Sequence, residues 1–171
     1  MKKQEIPFHA FSSNMHHLWS RQWLLLCCGD FEKKHYDAMT VGWGSFGVMW
    51  NKPFVQVVVR TTRYTFEFMN QYRDFTLSAF SEDKRPALQL LGTRSGRDGD
   101  KIGESGLTPV ASKLVRSPGF EEAVLSIECQ MLYWQDMEPE QFLDDSIHKL
   151  YNNDYHRIFF GEIKRITQCM E

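Results

Sequence analysis

Two arginines and three threonines stand close together where a short apolar run meets a helix-prone segment, in the order Arg60-Thr61-Thr62-Arg63-Tyr64-Thr65. A phosphate dianion needs cations or several N–H and O–H donors, and the positive end of a helix adds to its binding. The segment therefore predicts a phosphate site. The residues alone leave a second interpretation open, in which the threonines cap the helix and the arginines are simply exposed.

A glycine-punctuated segment, Thr40-Val41-Gly42-Trp43-Gly44, precedes this cluster by one predicted strand. Glycine within a strand pattern usually marks a bulge or a close approach to the backbone. Backbone N–H groups exposed in this way suit the edge of a heteroaromatic ring that gains negative charge on reduction. Together with the phosphate cluster, the segment favours a flavin mononucleotide (FMN) site. Trp43 or Trp50 would stack on the ring, and ordinary core packing is the alternative for both.

Asp154 and His156 stand two residues apart in the last predicted strand, so their side chains share one side of it and could hydrogen-bond. A histidine with a pKa near neutrality can orient a nicotinamide carboxamide or donate a proton to reduced flavin. A surface histidine, or one with a purely structural hydrogen bond, is the alternative.

The composition excludes several classes of partner. A net charge of −2 gives no basic surface for nucleic acid or an anionic membrane. We find neither a signal peptide nor an apolar run of the ~18 residues that a membrane span needs. The histidines near the N-terminus lack nearby ligands of familiar spacing, so no metal is expected. Four cysteines without Cys-x-x-Cys spacing predict reduced core thiols of a soluble, cytoplasmic protein.

The periodicity predicts a single mainly β domain over residues 1–171, an antiparallel barrel with a few short helices. Residues 1–20 form an N-terminal extension, and the glycine-rich segment 92–106 is predicted to be a mobile or binding loop. Turns are expected at Gly29-Asp30 and Asn51-Lys52-Pro53, with Thr62 or Thr65 as a helix N-cap. Strands are predicted at 23–28, 39–50, 54–60, 75–80, 120–134 and 155–166, and shorter extended pieces at 107–110 and 113–115. Helices are predicted at 64–72 and 84–91, and a helix or helical loop at 139–151.

Six short motifs follow one another in an order that resembles the flavin reductase-like, FMN-binding split-barrel family, in particular its flavoredoxin-type branch. Further matches lie in the glycine-rich loop, with Lys101, and at Asp154-Tyr-His156, so the resemblance covers roughly residues 20 to 165. The six motifs are Asp37-Ala-Met-Thr40, Trp43-Gly44, Pro53, Val57-Val-Val-Arg60, Arg63-Tyr64-Thr65 and Phe75-Thr-Leu-Ser78.

The resemblance implies a split β-barrel, bound FMN, and NADH or NADPH as a transient electron donor. It also implies a homodimer with FMN near the subunit interface, and it places His156 beside the nicotinamide and the flavin ring. Asp37 departs from relatives that often have Asn there, which puts an amide contact from this position in doubt. The implied cofactor-binding residues are Thr40, Val41, Gly42, Trp43, Gly44, Arg60, Thr61, Arg63, Tyr64, Thr65, Ser78, Phe80 and Lys101.

The sequence thus predicts an FMN-binding oxidoreductase of the NAD(P)H:flavin reductase type. One alternative is a flavoredoxin-like electron-transfer protein that lacks its own nicotinamide site and exchanges electrons with a redox protein. Another is a barrel that binds a different ligand or serves only as an interaction module. The sequence does not choose between NADH and NADPH, name the acceptor, or say whether flavin stays bound.

Overall fold

The computed structural model of the protein describes residues 3–169 and consists mainly of β-strands. Within that range no helix combines the length and the apolar character needed to cross a bilayer. The strands are β1 (Lys3–Ile6), β2 (Leu24–Asp30), β3 (His35–Val41), β4 (Gly44–Met49), β5 (Lys52–Arg60), β6 (Asp74–Ala79), β7 (Pro109–Val110), β8 (Gly119–Phe120), β9 (Leu125–Asp136) and β10 (His156–Cys169). The α-helices are α1 (Met15–His17), α2 (Tyr64–Gln71), α3 (Arg85–Thr93) and α4 (Lys101–Ser105), and a π-helical turn spans Leu18–Gln22.

Eight of the described strands form one antiparallel sheet in the order β3-β2-β6-β9-β10-β5-β4, with β1 paired to the end of β10. The strands β7 and β8 form a separate small pair. The predicted fold class, mainly antiparallel β with a few short helices, is confirmed. The N-terminal extension is partly a member of the sheet, because Lys3–Ile6 pairs with Ile166 to Cys169.

Strand β2 is buried on both faces, which explains why its sequence is a continuous apolar run. Leu24 and Leu26 point into the main core, with Phe75 and Phe159. Leu25 belongs to a second apolar cluster that lies under α3 and α4. Asp30 is still within the strand, so the turn predicted at Gly29-Asp30 comes later, at residues 31–34.

The predicted glycine-rich strand is two strands, β3 and β4, and β4 forms a tight hairpin with β5. The turn consists of Trp50 and Asn51, which have φ values of 54° and 58°. Met49 pairs with Lys52, so Lys52 and Pro53 belong to β5 and not to the predicted turn. A two-residue turn with positive φ at both positions matches the twist of a hairpin.

The segment 92–106 is more ordered than a loop. Helix α3 continues through Gly92 to Thr93, a 3-10 turn follows at Gly96–Asp98, and α4 occupies Lys101–Ser105. Asp100 caps α4 by accepting a hydrogen bond from the Gly103 N–H. The segment predicted as a long loop thus contains short helical elements, and its role as a mobile or binding segment stays a prediction.

Three other predictions need correction. The extended piece at 113–115 is a series of bends, and 139–151 contains only two 3-10 turns, at Pro139–Gln141 and Asp145–Leu150. The N-cap of α2 is Arg63, with no capping side chain among the described residues, whereas Thr65 lies inside the helix. Its hydroxyl bonds to Asp37 instead.

Candidate functional site

The predicted phosphate segment is a tight turn that joins β5 to α2. Arg60 ends the strand, Thr61 and Thr62 are exposed, and the Arg63 N–H donates to the Arg60 carbonyl at 3.0 Å. The next backbone N–H groups, of Tyr64 and Thr65, have no backbone acceptor among residues 3–169. The N–H of partly exposed Tyr64 is a donor of the kind that a helix N-terminus offers to an anion, whereas Thr65 is fully buried.

Arg63 connects this turn to the C-terminal end of α3. Its guanidinium donates to the carbonyl oxygens of Gly92 at 2.7 Å and Leu91 at 3.4 Å. Burial is the main cause that lowers the pKa of Arg63, and the charge of Arg60 adds to it, but the group remains a cation because the ordinary pKa of arginine is so high. A Cβ at Gly92 would lie 3.2 Å from the Cβ of Thr40. The β3 segment and the α2 turn therefore meet at Gly92.

A buried ion pair lies beside the first turn of α2. Lys101 Nζ is 3.1 Å from Asp37 Oδ2, and only 2% of Lys101 and 3% of Asp37 are exposed. Thr65 Oγ1 donates to the same carboxylate oxygen. Burial lowers the pKa of Lys101, and the nearby carboxylate of Asp37 opposes that change. Lys101 was predicted to bind the cofactor, but its ammonium already forms an ion pair with Asp37.

Gly96 fits tightly against this pair. A Cβ there would come within 2.4 Å of Asp37 Oδ1 and 2.7 Å of the Tyr64 ring. The same residues line a surface cavity of about 300 Å³ that reaches Asp37, Tyr64, Gly96 and Lys101. The ion pair is thus next to a space large enough for a small anion.

The exposed cations of the 92–106 segment are also paired with carboxylates. Arg94 binds Glu104, and Arg97 binds Glu67. Arg97 also donates to the Thr62 carbonyl at 3.2 Å and lies over the Tyr64 ring. These contacts fix the segment to the α2 turn.

The glycines at the start of β4 are explained by packing inside the protein. A Cβ at Gly44 would lie 2.4 Å from both the Gln56 carbonyl and the Trp19 ring, and one at Gly42 would lie 3.3 Å from the Trp19 carbonyl. Val41 is buried, and Thr40 Oγ1 donates to the Leu88 carbonyl. Close approach to the backbone was predicted correctly, but the approaching groups belong to the chain itself.

Trp43 is the exposed member of this segment, with 48% of its surface accessible, and its ring centroid is 5.0 Å from that of His156. His156 Nδ1 is 2.9 Å from the Tyr151 hydroxyl. The pKa of His156 is lowered to about 4, first by burial and then by the charge of Arg60, against the opposing charge of Asp154. His156 is therefore neutral at pH 7, which corrects the expectation of a pKa near neutrality.

Asp154 and His156 do not bond to each other's side chains. Asp154 precedes β10 and pairs with Arg60 Nη1 at 3.0 Å, while Arg60 Nη2 donates to the Leu150 carbonyl. Arg60 also lies over the Tyr151 ring. The arginine predicted to hold a phosphate is thus partly covered and already has a carboxylate partner.

Ser78 and Phe80 lie apart from the exposed part of this region, in the interior beneath α3. Both are fully buried, and Phe80 packs in the same apolar cluster as Leu88 and Leu91. Within the described chain, Ser78 Oγ has no hydrogen-bond partner. Phe80 also lines a cavity of about 470 Å³, which is bordered by Arg21 and Arg85.

Sequence reasoning missed two members of the site. Tyr151 was assigned only to a helical segment, and Asp37 was noted only as a departure from relatives. The spacing of Tyr151 and His156 carries no strand or helix signal, because Tyr151 follows the 3-10 turn at Asp145–Leu150 and the irregular residues 152–155 separate it from His156. The partner of Asp37 is distant in the chain, and a buried acid inside an apolar strand is the one signal that pointed to it.

Comparison with known proteins identifies the family. Residues 16–170 match the family described as the flavin reductase like domain. The chain belongs to this family. A curated relative, an uncharacterized protein of Pyrococcus abyssi, is 31% identical over 85 residues, which are 49% of this chain and 48% of that protein. The match thus spans about half the length of this relative.

Solved structures share the fold at lower identity. The flavoredoxin of Desulfovibrio vulgaris (Miyazaki F) aligns over 87% of this chain and 70% of its own, with 23% identity and a TM-score of 0.67. The flavoredoxin of Methanosarcina acetivorans aligns over 99% and 76%, with 22% identity and a TM-score of 0.67. An NADH:FAD oxidoreductase of Streptomyces globisporus aligns over 86% and 75%, with 16% identity and a TM-score of 0.65. The similarity to the split-barrel family that the sequence predicted is confirmed.

Proposed function

We propose that the protein is a flavin-dependent oxidoreductase that binds FMN and passes electrons between it and NADH, NADPH or a reduced carrier. Membership of the flavin reductase like domain family supports the flavin-related chemistry. The proposed position of the flavin rests on one observation, namely that two segments distant in the sequence meet at Gly92. Arg63 donates to the Gly92 carbonyl, and Thr40 packs on its Cα, so one ligand can touch both segments.

The residues present fit a flavin phosphate and ring. In the proposed complex, the free N–H group of Tyr64, the hydroxyl of Thr61 and the guanidinium of Arg63 hold the phosphate, whereas Thr65 is fully buried. The backbone of residues 40–44, with the exposed ring of Trp43, lines the isoalloxazine ring. When bound, flavin supplies the two-electron redox chemistry, and the protein supplies orientation and hydrogen bonds.

His156 acts in this proposal as a neutral hydrogen-bond donor. His156 Nδ1 lies 2.9 Å from the Tyr151 hydroxyl, and we propose the tautomer in which Tyr151 donates to Nδ1 and the imidazole proton is on Nε2, which has no partner among the described residues. Its lowered pKa means that it does not donate a proton as an imidazolium at pH 7. It is positioned by Tyr151 and by contact with Trp43.

Titration of purified protein with FMN, followed by quenching of flavin and tryptophan fluorescence, tests the proposal. We expect saturable binding with one FMN per chain. Failure to take up FMN, with no bound flavin in the absorbance spectrum, would support a barrel with a different ligand.

One observation favours the electron-transfer alternative without a nicotinamide site. The Leu150 carbonyl bonds to Arg60, and the Tyr151 hydroxyl bonds to His156. In the proposed complex, Leu150 and Tyr151 leave less space for nicotinamide on that side of the flavin ring. Stopped-flow mixing of the FMN complex with NADH and NADPH separates the two. Rapid bleaching of the flavin absorbance supports the reductase, and a flavin that only a reduced protein donor bleaches supports the carrier.

We further propose a homodimer formed through the outer face of β4, β9 and β10. Exposed aromatic side chains cluster there, with Trp50 54% and Tyr133 45% accessible. Trp50, Tyr133 and Phe160 contact one another. An exposed aromatic patch of this kind is typical of an interface between subunits.

The full chain is proposed to be a single domain, because one sheet carries both apolar clusters. We assign it to the cytoplasm. Cys27, Cys28 and Cys129 are free and buried, as expected in a reducing compartment.

A further inference from the structure

The cations around the proposed phosphate site are almost all neutralised by carboxylates of the same chain. Asp37 pairs with Lys101, Asp154 with Arg60, Glu67 with Arg97 and Glu104 with Arg94. Among the described residues of this region, Arg63 contacts carbonyl oxygens instead of a carboxylate, and Lys34 at the border of the cavity beside Asp37 is in no ion pair. The site is therefore poorer in available positive charge than its sequence suggests.

The pair of Asp37 and Lys101 differs from the others because it is buried. The pairs of Arg94 and Arg97 are exposed, where solvent weakens their attraction and a ligand can exchange with a carboxylate at little cost. Lys101 is enclosed on the side of Asp37, and its ammonium donates to that carboxylate. Separating this pair would leave a buried charge without a partner, which is strongly unfavourable.

We propose that Asp37 is a positioning residue that sets ligand specificity, because it withholds the Lys101 ammonium from phosphate and so limits the preference for FMN over riboflavin. This inference rests on the proposed flavin site. The cavity of about 300 Å³ beside Asp37, Tyr64 and Gly96 gives the space in which a phosphate could meet Lys101. Tyr64, whose N–H has no backbone acceptor among the described residues, lines the same cavity.

An Asp37→Asn substitution tests the inference, because Asn keeps the size and an acceptor oxygen while it removes the charge. The Lys101 ammonium then lacks a counter-ion, and a phosphate can supply one. We expect the affinity for FMN to increase roughly tenfold relative to that for riboflavin, as a new charge-assisted contact would give. Titrations of both ligands, followed by fluorescence, measure this ratio.

Two further variants keep the test decisive. Asp37→Asn combined with Lys101→Met removes both charges and should return the ratio of FMN to riboflavin affinity to the wild-type value. Glu67→Gln frees the exposed Arg97 and should change the ratio by less than about threefold. A ratio that rises less than about fivefold in Asp37→Asn, or that stays raised in the double variant, would overturn the inference.

Failure of the proposed function can be told apart from failure of this inference. If no variant binds either flavin, the flavin site is wrong, and inorganic phosphate then serves as the probe. Phosphate should raise the melting temperature of Asp37→Asn more than that of the wild type or the double variant. Equal shifts in all three proteins would contradict the role assigned to Asp37.

Discussion

At the scale of single residues, Asp37 and Lys101 stand out because they form a buried ion pair. Both side chains are removed from water, and each depends on the other and on Thr65 for compensation. Removing one member of such a pair leaves an unpaired buried charge, whereas removing both charges can be nearly neutral. The pair should therefore contribute to stability in a strongly non-additive way.

Lys101→Ala should destabilise the protein by about 3 to 5 kcal/mol, because Asp37 is left buried without a cation. Urea unfolding followed by tryptophan fluorescence measures this. The matched control is Arg94→Ala, which removes an exposed pair and should cost less than about 1 kcal/mol. Equal effects of the two substitutions would show that burial does not govern the Lys101 pair.

His156 makes stability depend on pH. Its pKa is about 4 in the folded protein and near 6.5 when unfolded, so the unfolded chain binds more protons between these values. Stability present above pH 6.5 is thus lost as the pH falls towards 4. Between about pH 7 and about pH 4.5, the wild type should lose about 1 to 2 kcal/mol more than His156→Gln, after allowance for partial exposure. Parallel pH profiles of the two proteins would contradict this assignment.

The sequence indicated which residue types could do chemistry but not how they pair. Asp154 and His156 share a strand-like spacing, yet Asp154 lies before β10 and bonds to Arg60 instead. Lys101 was recognised as a cation in a loop, but its partner comes from β3. These pairings depend on where irregular segments fold back, and local periodicity carries no information about that.

At the scale of elements, the strands followed their sequence pattern closely. The β-branched run of β5 and the alternation of polar and apolar residues in β9 both produced the predicted strands. The wrong predictions concern glycine positions and the ends of helices and strands. Gly92 was expected to lie just past the end of α3, but Arg63 bonds to its carbonyl and to that of Leu91, and the helix runs two residues beyond the predicted end, to Thr93.

The position of β4 depends on the absence of a side chain at Gly44. Gly44→Ala would place a Cβ against the Gln56 carbonyl and the Trp19 ring, and backbone cannot move aside cheaply. We expect destabilisation of about 1 to 3 kcal/mol, measured by urea unfolding. Ser45→Ala, at the next position, is the control and should cost less than about 1 kcal/mol. If Gly44→Ala left the free energy of unfolding unchanged, β4 would be able to shift away from β5.

At the scale of the whole molecule, the outer face of β4, β9 and β10 stands out because large apolar side chains remain exposed there. Neighbouring strands bring Trp50, Tyr133 and Phe160 together, although they are distant in sequence. The sequence showed these residues as strand aromatics and could not tell which face each would occupy. The proposed homodimer gives this face a partner.

Tyr133→Glu on that face should produce a monomer. A charge buried at an apolar interface without a partner disfavours association. Size-exclusion chromatography with light scattering measures the mass. Leu143→Glu, at an exposed position outside the sheet, is the control and should leave a dimer. A wild-type protein that is monomeric at all concentrations would refute the assembly.

The proposed flavin site depends most on phosphate binding at the turn before α2, and Arg63→Ala tests this directly. Fluorescence titrations of FMN and riboflavin should show FMN affinity reduced by about tenfold or more, since a charge-assisted contact is lost. Riboflavin affinity should be unchanged, and Arg94→Ala should alter neither. If Arg63→Ala bound FMN as tightly as the wild type, or lost both ligands equally, the phosphate would not lie at this turn.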